Sequence, residues 1–290
     1  MKDYIIVTDS TTDLTSSQID KMELSVLPLK FRINDEEYSD LADKSEIKFE
    51  DFFAMLRSGK QSTTSQISPS EFISAVEPFV QDGKDILYIA FSSALSGTYN
   101  SASTGAELLK EKYPDINIRV IDSLCASGGE GLLVYLAVQK KREGYSLDKL
   151  ADWLENERLH LCHWFTVDDL NHLKRGGRVS AVTALLGTTL SIKPVLHVDN
   201  EGRLINVKKV RGRKQSLDAL VDMMEATAIN PTEQTIFITH GDCFEDAKYV
   251  ADTIKAKFNV KDVVINPLGP VIGSHSGPGT MALFFWGTSR

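Results

Sequence analysis

The sequence has few cysteines and no long apolar run, and each shortage excludes a class of protein. Its three cysteines, Cys125, Cys162 and Cys243, are widely spaced, so they fit neither a disulfide framework nor a Cys-x-x-Cys metal site. No apolar stretch approaches the roughly 18 residues of a membrane-spanning helix, and no cationic leader precedes a hydrophobic segment. We therefore expect a soluble, cytoplasmic protein that makes at most transient contact with a membrane.

Motifs of several common enzyme classes are absent as well. The sequence contains no P-loop, dinucleotide-binding fingerprint, His-Glu-x-x-His motif or EF-hand loop. The segment around Ser96 lacks both glycines of a hydrolase nucleophile elbow. We therefore expect no metal, no cofactor and little direct support for catalysis by this chain.

Positive charge is also in short supply. Lys and Arg number 32 against 40 Asp and Glu, and the net charge of −8 argues against a general nucleic-acid-binding protein. The 290 residues are 42% hydrophobic and 25% charged, which is ordinary globular composition and a natural length for two domains. Small molecules and proteins are the expected partners.

Short apolar runs alternate with helical patterns through the first half of the chain, at 5–8, 16–21, 86–91, 98–113 and 118–122. This alternation predicts a mostly parallel sheet with helices on both faces. Amphipathic stretches follow at 129–142 and 147–158.

The second half changes character. Two β-branched runs at 194–198 and 204–210 flank Asp199-Asn200-Glu201-Gly202, which predicts a hairpin, and further strand patterns at 236–240 and 263–265 bracket a helix near 247–257. We therefore predict an α/β protein with an N-terminal α/β domain at 1–160 and a C-terminal α/β domain with a mixed sheet at 161–290.

The apolar run at 86–91 ends in hydroxyl and glycine residues just before a helical pattern. Ser96, Gly97 and Thr98 then fall on a strand-to-helix turn, where free backbone N–H groups and the helix dipole favour an anion. A phosphate and a carboxylate both fit. Simple capping of the helix by Ser and Thr explains the same residues equally well.

A second hydroxyl cluster contains Thr64, Ser65 and Gln66. It leads into Ser68 and Glu71, whose spacing is typical of a capping box at the start of a helix near 70–79. The capping box does not account for residues 64–66, which suit either a polar surface loop or a ligand site.

One of the six histidines, His275, lies among Gly, Ser and Pro residues at 267–279, a segment predicted to be a long loop. Such a backbone allows a ligand to approach closely, so we favour ligand contact over packing for this side chain. For the other five histidines we favour structural roles.

Basic residues are dense at two places in this acidic chain. Arg178 follows Gly176-Gly177, a pair that allows a left-handed helix C-cap, and Arg211 lies in a second basic group at 208–214. Solvated charge at the end of a helix or strand explains both groups, and so does a docking or anion-recognition surface.

Seven short motifs, in order and spacing, resemble the DegV family: 7–11, 64–66, 92–99, 121–123, 176–178, 192–194 and 273–277. The resemblance covers nearly the whole chain. Members of this family are known as bacterial fatty-acid-binding proteins, and characterised members are the acyl carrier subunit of fatty-acid kinase. The resemblance implies a long-chain fatty acid whose tail is buried in a cleft between the two domains, with its carboxylate near the mouth.

The resemblance also implies roles for single residues. The carboxylate would be bound by polar residues of three motifs: Thr64, Ser65, Ser96, Gly97, Thr98 and His275. Arg178 and Arg211 would face the head group or dock the kinase. Ile67 departs from the family, in which Pro often follows the Gln, so the loop that carries Thr64 is expected to be less rigid.

Two functions from different classes follow. The first is a non-catalytic carrier that presents a fatty acid to a separate fatty-acid kinase catalytic subunit, which forms the acyl phosphate used in phospholipid synthesis. The alternative is a serine hydrolase or acyltransferase with Ser96 as nucleophile, His275 as base and Asp122 as orienter. A sensor of phosphate or another polar anion is a third possibility. For any one of the apolar candidates for lining the lipid tunnel we favour packing in a core; the candidates are Phe31, Phe91, Leu95, Phe165, Leu185, Leu186, Leu190 and Ile192.

Overall fold

The computed structural model describes residues 2–178 and 191–290, which fold into three β-sheets covered by helices. The strands in these ranges are β1 (Tyr4–Asp9), β2 (Ser25–Leu27), β3 (Lys30–Ile33), β4 (Glu36–Ser39), β5 (Ser62–Ser65), β6 (Asp85–Ala90), β7 (Ile118–Asp122), β8 (Leu161–Thr166), β9 (Ile192–Val198), β10 (Leu204–Arg211), β11 (Thr235–His240), β12 (Asp262–Pro267) and β13 (Met281–Trp286). The α-helices in these ranges are α1 (Ser16–Met22), α2 (Phe49–Arg57), α3 (Pro69–Gln81), α4 (Thr98–Lys112), α5 (Gly128–Arg142), α6 (Leu147–Glu157), α7 (Leu170–Gly176), α8 (Arg213–Thr227), α9 (Phe244–Phe258) and α10 (Pro270–Ser276).

The first sheet is parallel, with strand order β2-β1-β6-β7. Its central strand β6 is buried along its whole length, as expected for a parallel strand covered on both faces. Ile86 and Tyr88 pack in the core formed with α3 and α4, whereas Leu87 and Ile89 pack in the core formed with α5 and α6. The alternation of side chains along the strand therefore places helices on both faces.

The second sheet is mixed, with strand order β10-β9-β8-β13-β11-β12, and β11 and β12 form its parallel pair. One face packs on α8 and α9 through residues such as Trp164 and Phe285, and the other packs on α5 through Phe165 and Phe284. The prediction of a parallel first sheet and a mixed second sheet, both covered by helices, is confirmed. The boundary at 160/161 stays a prediction, and α5 shares one core with strands of both sheets.

The structure corrects two expectations. The polar segment that suited a surface loop contributes a strand to a small antiparallel sheet with order β4-β3-β5, and the predicted late loop contains the helix α10. Residues 62–65 form the edge strand β5, whose side chains are half-buried or exposed, so no apolar alternation marked it as a strand. Part of the late loop is the helix α10. Pro270 occupies its first turn, and Gly273 lets Phe52 pack so closely that a Cβ there would lie 2.9 Å from the ring.

Two fully buried carboxyl side chains connect β1 to α5. Asp9 accepts hydrogen bonds from the Thr11 and Phe91 backbone N–H groups, both at 3.1 Å, and from the Tyr88 hydroxyl at 2.9 Å. The Thr11 hydroxyl bridges Asp9, at 2.5 Å, and Glu130, at 2.7 Å. Burial, with Asp9 close by, raises the pKa of Glu130 well above its ordinary value, which favours the neutral acid in this cluster.

Candidate functional site

A cavity of about 400 Å³ is lined by residues from both halves of the chain, a size typical of small-molecule sites. Its wall is largely apolar and includes Phe91, Leu95, Phe165, Val198, Leu268 and Phe284. Three of the predicted tunnel residues, Phe91, Leu95 and Phe165, line it. Phe31 instead packs against Phe52 in a separate core, Ile192 is not among the lining residues, and Leu185, Leu186 and Leu190 lie outside the described residues.

Two of the predicted site residues meet at a polar part of this wall. Thr64 Oγ1 lies 2.8 Å from His275 Nε2, although the two residues are 211 positions apart in sequence. The strand β5 and the helix α10 lie side by side here, and a second hydroxyl contact of 2.7 Å joins Ser62 to Ser274. The polar edge strand and the late helix thus hold the hydroxyl and the imidazole together.

The beginning of α10 is held by two buried aspartates. Asp13 accepts a hydrogen bond from the Gly269 N–H at 2.7 Å, and Asp40 accepts one from the Val271 N–H at 3.4 Å. Negative charge at a helix N-terminus is favourable, so the aspartates help to fix the helix that carries His275. Burial raises the pKa of Asp13 to about 7, and the salt bridge from Lys44 to Asp40 neutralises charge beside it.

The imidazole of His275 is neutral and is not fully hydrogen-bonded. Burial, and then the nearby Arg178 guanidinium, lower its pKa to about 4. Its Nδ1 atom is buried and has no hydrogen-bond partner among the described residues. The backbone at Gly176 passes very close to this atom: a Cβ at Gly176 would lie 2.3 Å from Nδ1. This explains one glycine of the Gly176-Gly177 motif, and Gly177 provides the predicted left-handed C-cap with φ +68°.

The two hydroxyl motifs predicted separately are in contact with each other. A Cβ at Gly97 would lie 2.1 Å from Gln66 Oε1, so the glycine makes room for the Gln side chain. Gln66 Nε2 donates to Ser101 Oγ in the first turn of α4, at 3.0 Å. Ser96 accepts from the Thr98 N–H at 3.2 Å while also lining the cavity. The N-cap residue itself is Gly97, so Ser96, one residue earlier, both pairs with the first N–H of α4 and lines the cavity.

The predicted site residues divide into two groups by position. Those that line the cavity are Thr64, Ser65, Ser96, Gly97, Arg178 and His275. Thr98 is fully buried behind Ser96, and its hydroxyl lies 3.0 Å from Ser96 Oγ and 3.4 Å from the Ile67 N–H. Arg211 is exposed at the end of β10, opposite Ile192, and does not line the cavity.

Sequence reasoning missed further polar residues of the cavity wall, namely Ser127, His163, Ser276 and Thr280. His163 Nδ1–H donates to the Leu161 carbonyl at 3.0 Å, and burial lowers its pKa well below the ordinary value, so this side chain is neutral. The sequence feature that could have indicated His163 is the pair Gly128-Gly129 after β7. A Cβ at Gly129 would lie 2.1 Å from His163 Nε2, so the imidazole needs a glycine there.

The arrangement gives no support to a catalytic triad. Within the described residues, His275 is hydrogen-bonded to Thr64 and not to Ser96. The Asp122 carboxylate accepts from the Ser93 and Leu124 N–H groups, both at 3.1 Å, so it does not orient a histidine. The hydrolase hypothesis is therefore not favoured.

Two features are absent from residues 2–178 and 191–290. No group of three or more His, Cys, Asp or Glu side chains in these ranges is placed to hold a metal ion. No helix in the same ranges combines the length and apolar character needed to cross a membrane.

The chain is similar to known proteins over its full length. Residues 4–287 match the family model described as "Uncharacterised protein, DegV family". A DegV domain-containing protein of Clostridium perfringens is 48% identical over 290 residues, which covers 100% of this chain and 99% of that protein.

Solved structures share the fold. A fatty-acid-binding DegV family protein from Thermus thermophilus is 30% identical, with a TM-score of 0.89 over 99% of this chain and 100% of that one. The fold is also that of the Streptococcus pneumoniae Fatty Acid Kinase (Fak) B3 protein, solved with linoleic acid, at 21% identity and a TM-score of 0.84 over 98% of this chain and 99% of that one. From the family match and the full-length relative, this chain belongs to the DegV family.

Proposed function

We propose that this protein binds a long-chain fatty acid, with the tail in the 400 Å³ cavity and the carboxylate at Thr64 and His275. One observation supports the proposal most directly. The wall of a largely apolar cavity contains the Thr64 and His275 pair, and His275 Nδ1 has no hydrogen-bond partner among the described residues. Fatty-acid binding by the Thermus thermophilus relative supports it.

Burial of the tail supplies most of the affinity in this proposal. A palmitate chain has about 14 methylenes, and at roughly 0.8 kcal/mol each their burial contributes on the order of 11 kcal/mol before entropic costs. The lining phenylalanines and leucines offer no polar group that competes for the chain.

The head group is then oriented by neutral donors. Hydroxyls of Thr64, Ser65 and Ser96 line the same cavity as His275, and Gly97 lies at the beginning of α4, where the helix dipole favours an anion. A carboxylate accepts several hydrogen bonds, so it suits this set of donors better than a hydroxyl or an ester does. Thr98 would act through Ser96, which it contacts.

We further propose that the protein is a non-catalytic carrier, which presents the carboxylate to a separate kinase subunit in the cytoplasm. The kinase would supply the nucleotide and its metal ion. The shared fold with the Fak B3 protein and the three unpaired cysteines fit this role. Arg178 at the cavity and Arg211 outside it would then serve the head group or the docking of the kinase.

Native mass spectrometry of the purified protein tests the binding step, and we expect a releasable long-chain fatty acid in about one-to-one ratio. The protein with ATP and Mg²⁺ alone should form no acyl phosphate, whereas added kinase should restore its formation. Covalent labelling of Ser96 by a serine-hydrolase probe, with no releasable lipid, would favour the hydrolase hypothesis instead.

A further inference from the structure

A second, smaller cavity of about 160 Å³ lies on the other side of the Thr64 and His275 pair. We call it the outer pocket. Thr64, Arg178 and His275 line both cavities, so these three side chains separate the larger cavity from the outer pocket. Lys60, His172 and Arg175 line only the outer pocket.

The outer pocket carries positive charge that no carboxylate neutralises. Its lining contains Lys60, Arg175 and Arg178 and no Asp or Glu among the described residues. Arg175 donates to His172 Nδ1 at 3.1 Å, and Arg178 donates to the Leu95 and Gly176 carbonyls at 3.2 and 2.6 Å, so these acceptors are all neutral. By contrast, Lys193 is paired with Asp168 at 2.8 Å. Among residues 2–178 and 191–290, none of these three cations has a carboxylate partner, although the chain as a whole has a net charge of −8.

We propose that the outer pocket binds the phosphate group of a long-chain acyl phosphate. This inference rests on the proposed function. In that reaction the carboxylate oxygen forms a bond to the terminal phosphorus of a nucleoside triphosphate held by the kinase, the bond from that phosphorus to its bridging oxygen breaks, and the nucleoside diphosphate leaves. The new phosphate is attached to an oxygen beside Thr64 and His275, which is where the outer pocket begins.

The lining matches the chemistry of the added group. Near pH 7 the phosphate group carries a charge of about −1.5 to −2, which exceeds the single negative charge of the carboxylate, and it has three strong acceptor oxygens. Guanidinium groups such as those of Arg175 and Arg178 match phosphate geometry, and Lys60 adds a point charge. The hydroxyls of Ser62 and Thr63 supply further donors to the same space.

Equilibrium binding of two lipids tests the proposal: palmitate, and a non-hydrolysable palmitoyl phosphate analogue in which a methylene replaces the bridging oxygen. We expect the double variant Lys60→Gln/Arg175→Gln to lose about tenfold or more in affinity for the analogue and to keep palmitate affinity within about twofold. Lys174→Gln is the matched control, because Lys174 is exposed on the same helix as Arg175 but lines neither cavity.

Three outcomes would overturn the proposal: an unchanged affinity for the analogue, equal losses for both lipids, or wild-type protein that binds palmitate but not the analogue. Thermal unfolding of each variant checks that the fold is intact. Failure of the wild-type protein to bind palmitate at all would instead contradict the proposed function, on which this inference rests.

Discussion

Two polar clusters in this molecule are built from similar parts and differ in how completely they are hydrogen-bonded. In one, the Thr11 hydroxyl bridges Asp9 and Glu130 in the core. In the other, the Thr64 hydroxyl contacts His275 at the wall of a cavity. In the first cluster the carboxyl and hydroxyl groups are all hydrogen-bonded and fully buried. In the second, His275 Nδ1 has no partner among the residues that the structure describes, and the pair borders two cavities.

The difference separates a structural role from a recognition role. Buried polar groups that satisfy one another fix the fold, because removal of any member leaves an unpaired group in a dry environment. Groups with spare hydrogen-bonding capacity beside a cavity contribute less to stability and more to binding. Each prediction below tests whether the two clusters can be separated in this way.

We expect the largest effect at Glu130. Replacing it with Ala should lower the free energy of unfolding by about 3 kcal/mol, because the change opens a cavity and leaves the Thr8 and Thr11 hydroxyls short of a partner. Glu130→Gln keeps the shape and a donor, so it should cost less than about 1 kcal/mol. Urea unfolding measures both, and equal losses would show that the neutral acid is not what the cluster requires.

At the second cluster we expect substitutions to weaken binding more than they weaken stability. Thr64→Ala and His275→Ala should change the free energy of unfolding by only about 1 kcal/mol, but lower affinity for palmitate about tenfold. Ser96→Ala should act in the same direction, because Ser96 lines the same cavity. Calorimetry measures the palmitate affinity of each variant, and urea unfolding of the same preparations measures its stability. A large loss of stability with unchanged binding would make this cluster structural too.

Arg211 offers a smaller and more selective effect, because it is exposed and lies outside the cavity lining. Arg211→Ala should reduce kinase-dependent formation of acyl phosphate by a few fold and leave fatty-acid binding nearly unchanged. Higher salt should weaken the kinase interaction, since the Debye length is about 10 Å at 0.1 M. Equal losses of binding and phosphorylation would instead assign Arg211 to the lipid site.

The last effect appears only in acid. The pKa of His275 is lowered to about 4 in the folded protein, below its value in the unfolded chain of about 6.5. The unfolded state therefore binds more protons between these values, so His275 makes the free energy of unfolding fall as pH decreases from about 6.5 to 4. The variant His275→Gln should show a shallower decline over this window in acid unfolding. A parallel decline would mean that His275 titrates normally.

Much of the fold was predictable from the sequence, because long elements such as β6 and α4 carry strong local patterns. The edge strand β5 was not, since its polar side chains lack an apolar face. Nor do local patterns show that Gln66 packs over Gly97, or that Gly176 lies against His275. Those contacts join distant segments, and they decide which candidate residues share one cavity and leave Arg211 outside it.

Under the proposed function, the contact between Thr64 and His275 also bears on binding and release. Each side chain is the hydrogen-bonding partner of the other, so a head group that binds there would exchange one partner for another. When the head group leaves, the two side chains would pair again, so neither would be left without a partner. Withdrawal of the apolar tail would then govern how long the complex lasts.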